Sequence, residues 1–171
     1  MASTGTGPTP APRAKGEPRW LSEEEQRSWR SWIRMSTLLA ERLEHDLKDS
    51  HGLSNQEYEV MVRLSEAPDR RLRMSDLAGR TLASKSRLSH QISRMEADGL
   101  VRREDCAEDR RGQYAVLTDA GWDRLVAAAP DHVESVRTWL LDAMSPEEFA
   151  ELGRLCDRVV EQLRSGCGSA G

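Results

Sequence analysis

The chain has 171 residues, of which 37% are hydrophobic and 32% charged, and its net charge is −4. That length suits one domain or two small interlocked ones, with an aliphatic core, since there is one Phe and the other aromatics are five Trp and two Tyr. Three cysteines without a pairing pattern argue against a disulfide framework. No apolar run approaches the roughly 20 residues a membrane-crossing helix needs, and no signal-peptide core stands at the N-terminus, so the expectation is a soluble, cytoplasmic protein.

Residues 1–19 are rich in Ala, Pro, Gly and Thr and read as a disordered tail, as do residues 166–171. Ser22-Glu-Glu-Glu25 is a capping box, and Trp29, Trp32, Ile33, Leu39, Leu43 and Leu47 follow at helical spacing up to Gly52. Ser54-Asn-Gln-Glu57 is a second capping box, opening a helix with Tyr58, Met61, Val62 and Leu64 that Pro68 closes. Arg71 to Met74 alternates like a short strand. Ser75 is the expected cap of a short helix bearing Leu77, Ala78 and Leu82.

Ser84 is placed to cap the next helix, with Leu88, Ile92 and Met95 on its inner face and Gly99 just past its end. Leu100 to Asp105 and Gln113 to Leu117 read as the strands of a hairpin joined by a polar turn from Ala107 to Gly112. Thr118 is expected to cap a long helix to about Ala143, kinked at Pro130. Ser145-Pro-Glu-Glu148 opens a last helix with the stripe Phe149, Leu152, Cys156, Val159 and Leu163, which makes Cys156 an expected core residue. The fold class is mostly α with a small β-hairpin wing.

Two short helices joined by a tight turn and followed by a charged hairpin make a winged helix-turn-helix between about Met74 and Leu117. With Leu88, Ile92 and Met95 inward, about 100° per residue puts Ser86, His90, Ser93 and Arg94 on the opposite face, flanked by Lys85, Arg87 and Gln91. Such a helix suits the DNA major groove, where Arg87 would pair with guanine and the backbone near Ser84 would receive a phosphate. From Asp69 to Gln113 there are 11 Lys/Arg and 8 acids, so this stretch is +3 while the rest of the chain is −7. Double-stranded DNA is therefore the expected partner, despite the acidic whole.

Asp109-Arg110-Arg111-Gly112, followed by Tyr-Ala-Val-Leu-Thr-Asp-Ala-Gly from Tyr114 to Gly121, resembles the wing signature of the MarR (multiple antibiotic resistance regulator) family. Ser84 to Val101 resembles that family's recognition helix and its exit, and the likeness runs from about Arg27 to Leu163. The resemblance implies that Arg111 reaches the minor groove, that Asp109 holds it by an ion pair, and that Arg110 touches groove or phosphate. It implies a homodimer built on residues 20–52 and 118–165, with residues 53–117 as the DNA-binding domain. Its two recognition helices would then lie one DNA turn, about 34 Å, apart on a palindromic site. The implied function is a dimeric, sequence-specific repressor relieved by a small aromatic ligand. An architectural or partner-binding winged-helix protein without an effector is the alternative.

In the family a ligand cleft adjoins the dimerisation helices, and Trp29, Arg30 and Trp32 are the candidate lining; interface packing is the competing reading of the two Trp. Cys106 stands just before the wing tip, where its oxidation would displace the wing, but the favoured reading gives it no sensing role. His45, His51, His90 and His132 lack metal-ligand spacing, and the chain has no Gly-rich phosphate loop. The expectation is no cofactor, no metal and no enzymatic activity.

Overall fold

The computed structural model describes residues 18–81, 83–106 and 109–167, and of residues 109–111 and 167 the backbone alone. Of the expected tails, 1–19 and 166–171, residues 1–17 and 168–171 lie outside the described residues, as does Leu82, whereas Gly166 and Cys167 belong to the last helix rather than to a tail. The chain divides between Ser36 and Thr37 into two compact units.

The first unit holds the start of α1 (Glu23–His51). Ser22 and Glu25 cap each other reciprocally: the Ser22 amide donates to Glu25 at 2.7 Å and the Glu25 amide to Ser22 Oγ at 3.2 Å. This satisfies two of the amides that a helix start leaves without partners. Trp20, Leu21, Trp29, Trp32 and Ile33 are all exposed.

In the second unit α1 ends at His51. Gly52, at φ 63°, adopts the left-handed conformation and returns its amide to the Lys48 carbonyl. Then come α2 (Asn55–Ser65), β1 (Arg71–Arg73), α3 (Met74–Arg80), α4 (Lys85–Ala97), β2 (Val101–Cys106), β3 (Asp109–Leu117), α5 (Asp119–Trp139) and α6 (Pro146–Cys167), with short 3₁₀ turns at Pro68–Arg70 and Leu141–Ala143. The capping boxes at Ser54 and Ser145 form as the sequence implies, and Ser84 and Thr118 cap α4 and α5. Ser75 does not cap α3. Strand β1 runs straight into that helix, so Arg73 occupies the cap position and its side chain does not cap the helix.

The sheet order is β1-β3-β2, antiparallel throughout. Both hairpin strands outrun their expected ends: β2 reaches Cys106 and β3 begins at Asp109. The ladder steps from Asp105↔Gln113 to Cys106↔Asp109, leaving residues 110–112 in a bulge on β3. Helix α5 continues through Pro130 as one element and stops at Trp139, short of the expected Ala143.

One core joins Leu47, Val60, Met61, Leu64, Leu72, Leu77, Leu88, Ile92, Met95, Val101, Ala115, Leu117, Leu125 and Ala128. It crosses the expected boundary at Leu117, because the first half of α5 packs into the winged lobe. Gly121 is the reason α5 can approach so closely: a Cβ there would lie 2.1 Å from the Leu100 carbonyl oxygen and 2.7 Å from Leu117. Thr118 ties the same junction, its hydroxyl lying 2.7 Å from the Gly99 carbonyl and accepting from the Gly121 amide.

Helix α6 contrasts with this core. Among the described residues it contributes none to the core, and Leu155, Val159, Val160 and Leu163 are exposed along it, Leu163 by 65%. Cys156 is only half-buried there, not core as expected.

Candidate nucleic-acid interface

Helix α4 is seated by its apolar side. Leu88, Ile92 and Met95 are all fully buried, worth about 1.5–3 kcal/mol each for side chains of this size. The start of α4 is fixed by Ser84, whose hydroxyl accepts from the Arg87 amide at 3.3 Å. Its end is closed by Gly99 at φ 72°, with the Gly99 amide bonded to the Glu96 carbonyl and the Leu100 amide to the Met95 carbonyl. That pair of hydrogen bonds at a left-handed glycine stops the helix and turns the chain directly into the wing.

The outward face of α4 carries the expected groups. Ser84, Lys85, Ser86, Arg87, His90, Ser93 and Arg94 are all exposed. Gln91 is the exception. It is 4% exposed and lies on the inner side, and its amide nitrogen finds no partner among the described residues. At about 100° per residue Gln91 lies only about 40° from Met95, so helix geometry overrides its polarity. It drops out of the reading surface.

Charge is unevenly compensated. Among the described residues, Lys85, Arg87 and Arg94 have no carboxylate partner. Several neighbouring arginines are engaged: Arg71 of β1 pairs with Glu104 at 3.7 Å and stacks over Tyr114, Arg102 of β2 pairs with Glu104, and Arg70, just before β1, covers the Trp122 ring. Between α4 and the wing opens a cleft of about 360 Å³, lined by Arg73, Met74, Ser75, Lys85, Ser89, Gly112 and Gln113.

A residue that the sequence reading passed over links the two halves of this surface. Arg103, on β2, faces inward with Ala115 and Leu72 in register. Its guanidinium donates to Glu96 Oε2 at 2.8 Å, to the Ser89 carbonyl at 2.9 Å and to Ser93 Oγ at 3.0 Å, while its amide donates to Glu96 Oε1 at 3.0 Å. In the sequence it looks like one of two adjacent solvent-facing arginines; only the strand register distinguishes Arg103 from Arg102.

The side chains of Asp109, Arg110 and Arg111 lie outside the described residues, and their backbone lies at the bulged tip of the hairpin. On α1, Trp29 and Trp32 are 55% and 43% exposed, and the Arg30 guanidinium donates to Gln26 at 3.2 Å. Cys106 is buried beside the wing tip. No group of described His, Cys, Asp or Glu residues has the arrangement of a metal site.

The profile of the MarR family matches residues 51–112, from the end of α1 to the wing tip. The transcriptional regulator HosA of Escherichia coli O157:H7 is 34% identical over 115 residues, which make up 66% of this chain and 82% of HosA. The chain belongs to the MarR family. Two solved structures extend the likeness beyond the profile. AbsC, a MarR family transcriptional regulator from Streptomyces coelicolor, is 48% identical with a TM-score of 0.83, covering 86% of this chain and 99% of AbsC. Sco3205, a MarR family transcriptional regulator from the same organism solved in complex with DNA, is 46% identical with a TM-score of 0.84, covering 85% of this chain and 92% of Sco3205. As a MarR-family chain this is a transcription regulator and not an enzyme. Among the described residues no helix is long and apolar enough to cross a membrane.

Proposed function

We propose that this MarR-family chain is a homodimeric repressor that reads a palindromic operator with α4 in the major groove and the wing in the adjacent minor groove. The observation that carries the reading is the face of α4: Lys85, Ser86, Arg87, His90 and Arg94 are exposed, and its three cations have no carboxylate partner among the described residues, on a helix whose other side is locked into the core. Arg87 is assigned to a base edge, Ser84 and Lys85 to phosphate, and Arg111, steadied by Asp109 and flanked by Arg110, to the minor groove. The cleft between α4 and the wing, with Arg73 and Lys85 in its wall, suits a phosphate of the same strand.

The exposed apolar residues of α6 support the dimer, since a stripe of this length that no described residue covers is otherwise an association hazard. Relief by a small aromatic ligand is the finer part of the proposal. Trp29, Arg30 and Trp32 offer two flat apolar rings and a cation, the chemistry an aromatic carboxylate takes.

Mobility-shift titrations of wild type and Arg87→Ala test the core of the proposal, using duplexes that the wild type enriches from a randomised pool. Loss of one bidentate base contact should cost about 1–3 kcal/mol and relax preference at one base pair per half-site. An Arg87→Ala protein with unchanged affinity and preference would overturn the assignment. Titration with phenolic carboxylates, followed by tryptophan emission, tests the ligand; emission and DNA affinity that both stay constant would remove it.

A further inference from the structure

We infer that Arg103 and Glu96 are positioning residues that hold the wing at a fixed angle to the recognition helix, and that they set sequence discrimination without touching DNA. The inference rests on the DNA-reading assignment above and concerns a different part of the lobe.

The geometry is that of a brace. Ala115 and Leu72 share Arg103's register, and one strand step on the same face is Val101, 1% exposed. The side chain therefore leaves the sheet toward α4, and only 20% of it is exposed. It meets α4 at residues 89, 93 and 96, a separation of seven residue steps, or about 10 Å of helix at 1.5 Å per step. Glu96 accepts from both the Arg103 guanidinium and the Arg103 amide, so it fixes the strand backbone as well as the side chain. Ser93 Oγ, which accepts from Arg103, itself donates to the Ser89 carbonyl at 3.0 Å, closing a ring of bonds. Charge-assisted bonds of this kind are shorter and roughly twice as strong as neutral ones.

Among the described residues, no other side-chain bond joins β2 to α4. Without it the hairpin is held through its base, by the Gly99–Leu100 turn and the core packing of Val101, Ala115 and Leu117, and along its side by the three-residue pairing of β1 with β3 and the Arg71–Glu104 ion pair. Held at the base and one edge, the projecting end of the ribbon would rock. Arg103 is engaged by Glu96, Ser89 and Ser93, so its guanidinium is not available to phosphate. Simultaneous reading by α4 and the wing requires their separation to be held within about half an ångström, and Arg103 supplies that rigidity.

The test combines a DNA-free measurement with a DNA-dependent one, on the full chain. Hydrogen exchange is followed by mass spectrometry for wild type, Arg103→Ala, Arg103→Lys and Glu96→Gln. In Arg103→Ala, peptides covering 101–106 and 109–117 should exchange about tenfold faster, equivalent to about 1.4 kcal/mol, with peptides of α2 and α5 within about twofold of wild type. Binding is then measured to a duplex enriched by the wild type from a randomised pool and to a random-sequence duplex. Arg103→Ala should lose about tenfold on the enriched duplex and less than about twofold on the random one. Adding Arg111→Ala to Arg103→Ala should cost less than Arg111→Ala costs in the wild type, because a wing that is not held no longer delivers its arginine.

Unchanged wing exchange in a folded Arg103→Ala protein would overturn the brace. Equal losses on both duplexes, additive with Arg111→Ala, would make Arg103 a phosphate contact and overturn the inference equally. If Arg103→Ala exchanges globally, Arg103→Lys decides: it keeps a cation for Glu96 but cannot fork to Ser89 and Ser93, and should show an intermediate wing exchange. If the wild type enriches no sequence, the DNA reading fails while the exchange measurement still decides the brace.

Discussion

Replacing Gly121 by alanine should destabilise the winged lobe, against the usual gain from removing a glycine within a helix. That gain is up to about 1 kcal/mol. Opposing it, the new Cβ would lie 2.1 Å from the Leu100 carbonyl oxygen, 2.7 Å from Leu117 and 3.0 Å from the Leu100 carbonyl carbon, where ordinary contact begins near 3.4 Å. The helix must retreat by about 1.3 Å, and the obstacle is backbone, which cannot swing aside as a long side chain would. Overpacking of this kind costs about 1–3 kcal/mol, and a backbone obstacle belongs at the upper end. Retreat also strains the Thr118 bonds to Gly99 and Leu100 that lock α5 to the wing's base. The net expectation is a loss of about 1–3 kcal/mol and a melting temperature lower by about 3–10 °C for a chain of this size. Thermal and urea unfolding at one fixed protein concentration read this out, since assembly raises apparent stability with concentration. Gly79→Ala is the control: nothing lies within 4 Å of its Cβ, so the same substitution should be neutral to stabilising by up to about 1 kcal/mol. Equal or raised stability in Gly121→Ala would refute the close-approach argument.

Ile92→Ala removes a fully buried side chain beneath the reading face and should cost about 2–5 kcal/mol in urea unfolding, weakening DNA binding only through loss of fold. His132 packs its ring 4.3 Å from that of Tyr58, and burial holds its pKa below the ordinary value. The unfolded chain therefore binds the proton more readily, so the stability tied to neutral His132 is complete above about pH 6.5 and falls as the pH drops toward the lower folded value. His132→Phe should lose less stability than wild type between pH 7.5 and 5.5; equal losses would exclude this origin. Val159→Asp puts a charge on the exposed stripe of α6 and, if that stripe forms the proposed dimer, should weaken it by on the order of 10- to 100-fold, about 1.4 to 2.7 kcal/mol, in sedimentation equilibrium.

Much of this was legible in the sequence because capping is local chemistry. Ser22, Ser54, Ser145 and Thr118 open their helices by bonds to residues three further on, so spacing alone finds them. Gly99 could be read for a similar reason, since its left-handed turn uses only the last carbonyls of α4. Leu88, Ile92 and Met95 were legible because one apolar face at helical spacing has one place to go. What was missed depends on partners far along the chain. Ser75 looks like a cap until β1 is seen to pair with β3 and run unbroken into α3. Gln91 looks exposed if polarity is read before angle. Arg103 looks like surface charge until the register with Ala115 turns it toward α4. The extra length of β3 was hidden because Asp109, Arg110, Arg111 and Gly112 offer no apolar alternation.

The central claim is that one wing and one helix form half of a reading head, completed by a second copy. Sequencing of the genomic fragments retained by the purified protein, with hydroxyl-radical footprints on the enriched sites, tests it most directly. The account predicts an inverted repeat whose half-site centres lie about one helical turn apart, with protection in two successive major grooves and the flanking minor grooves. Binding should weaken steeply with salt. Enrichment of no common sequence, or a footprint covering a single half-site with full affinity, would contradict it.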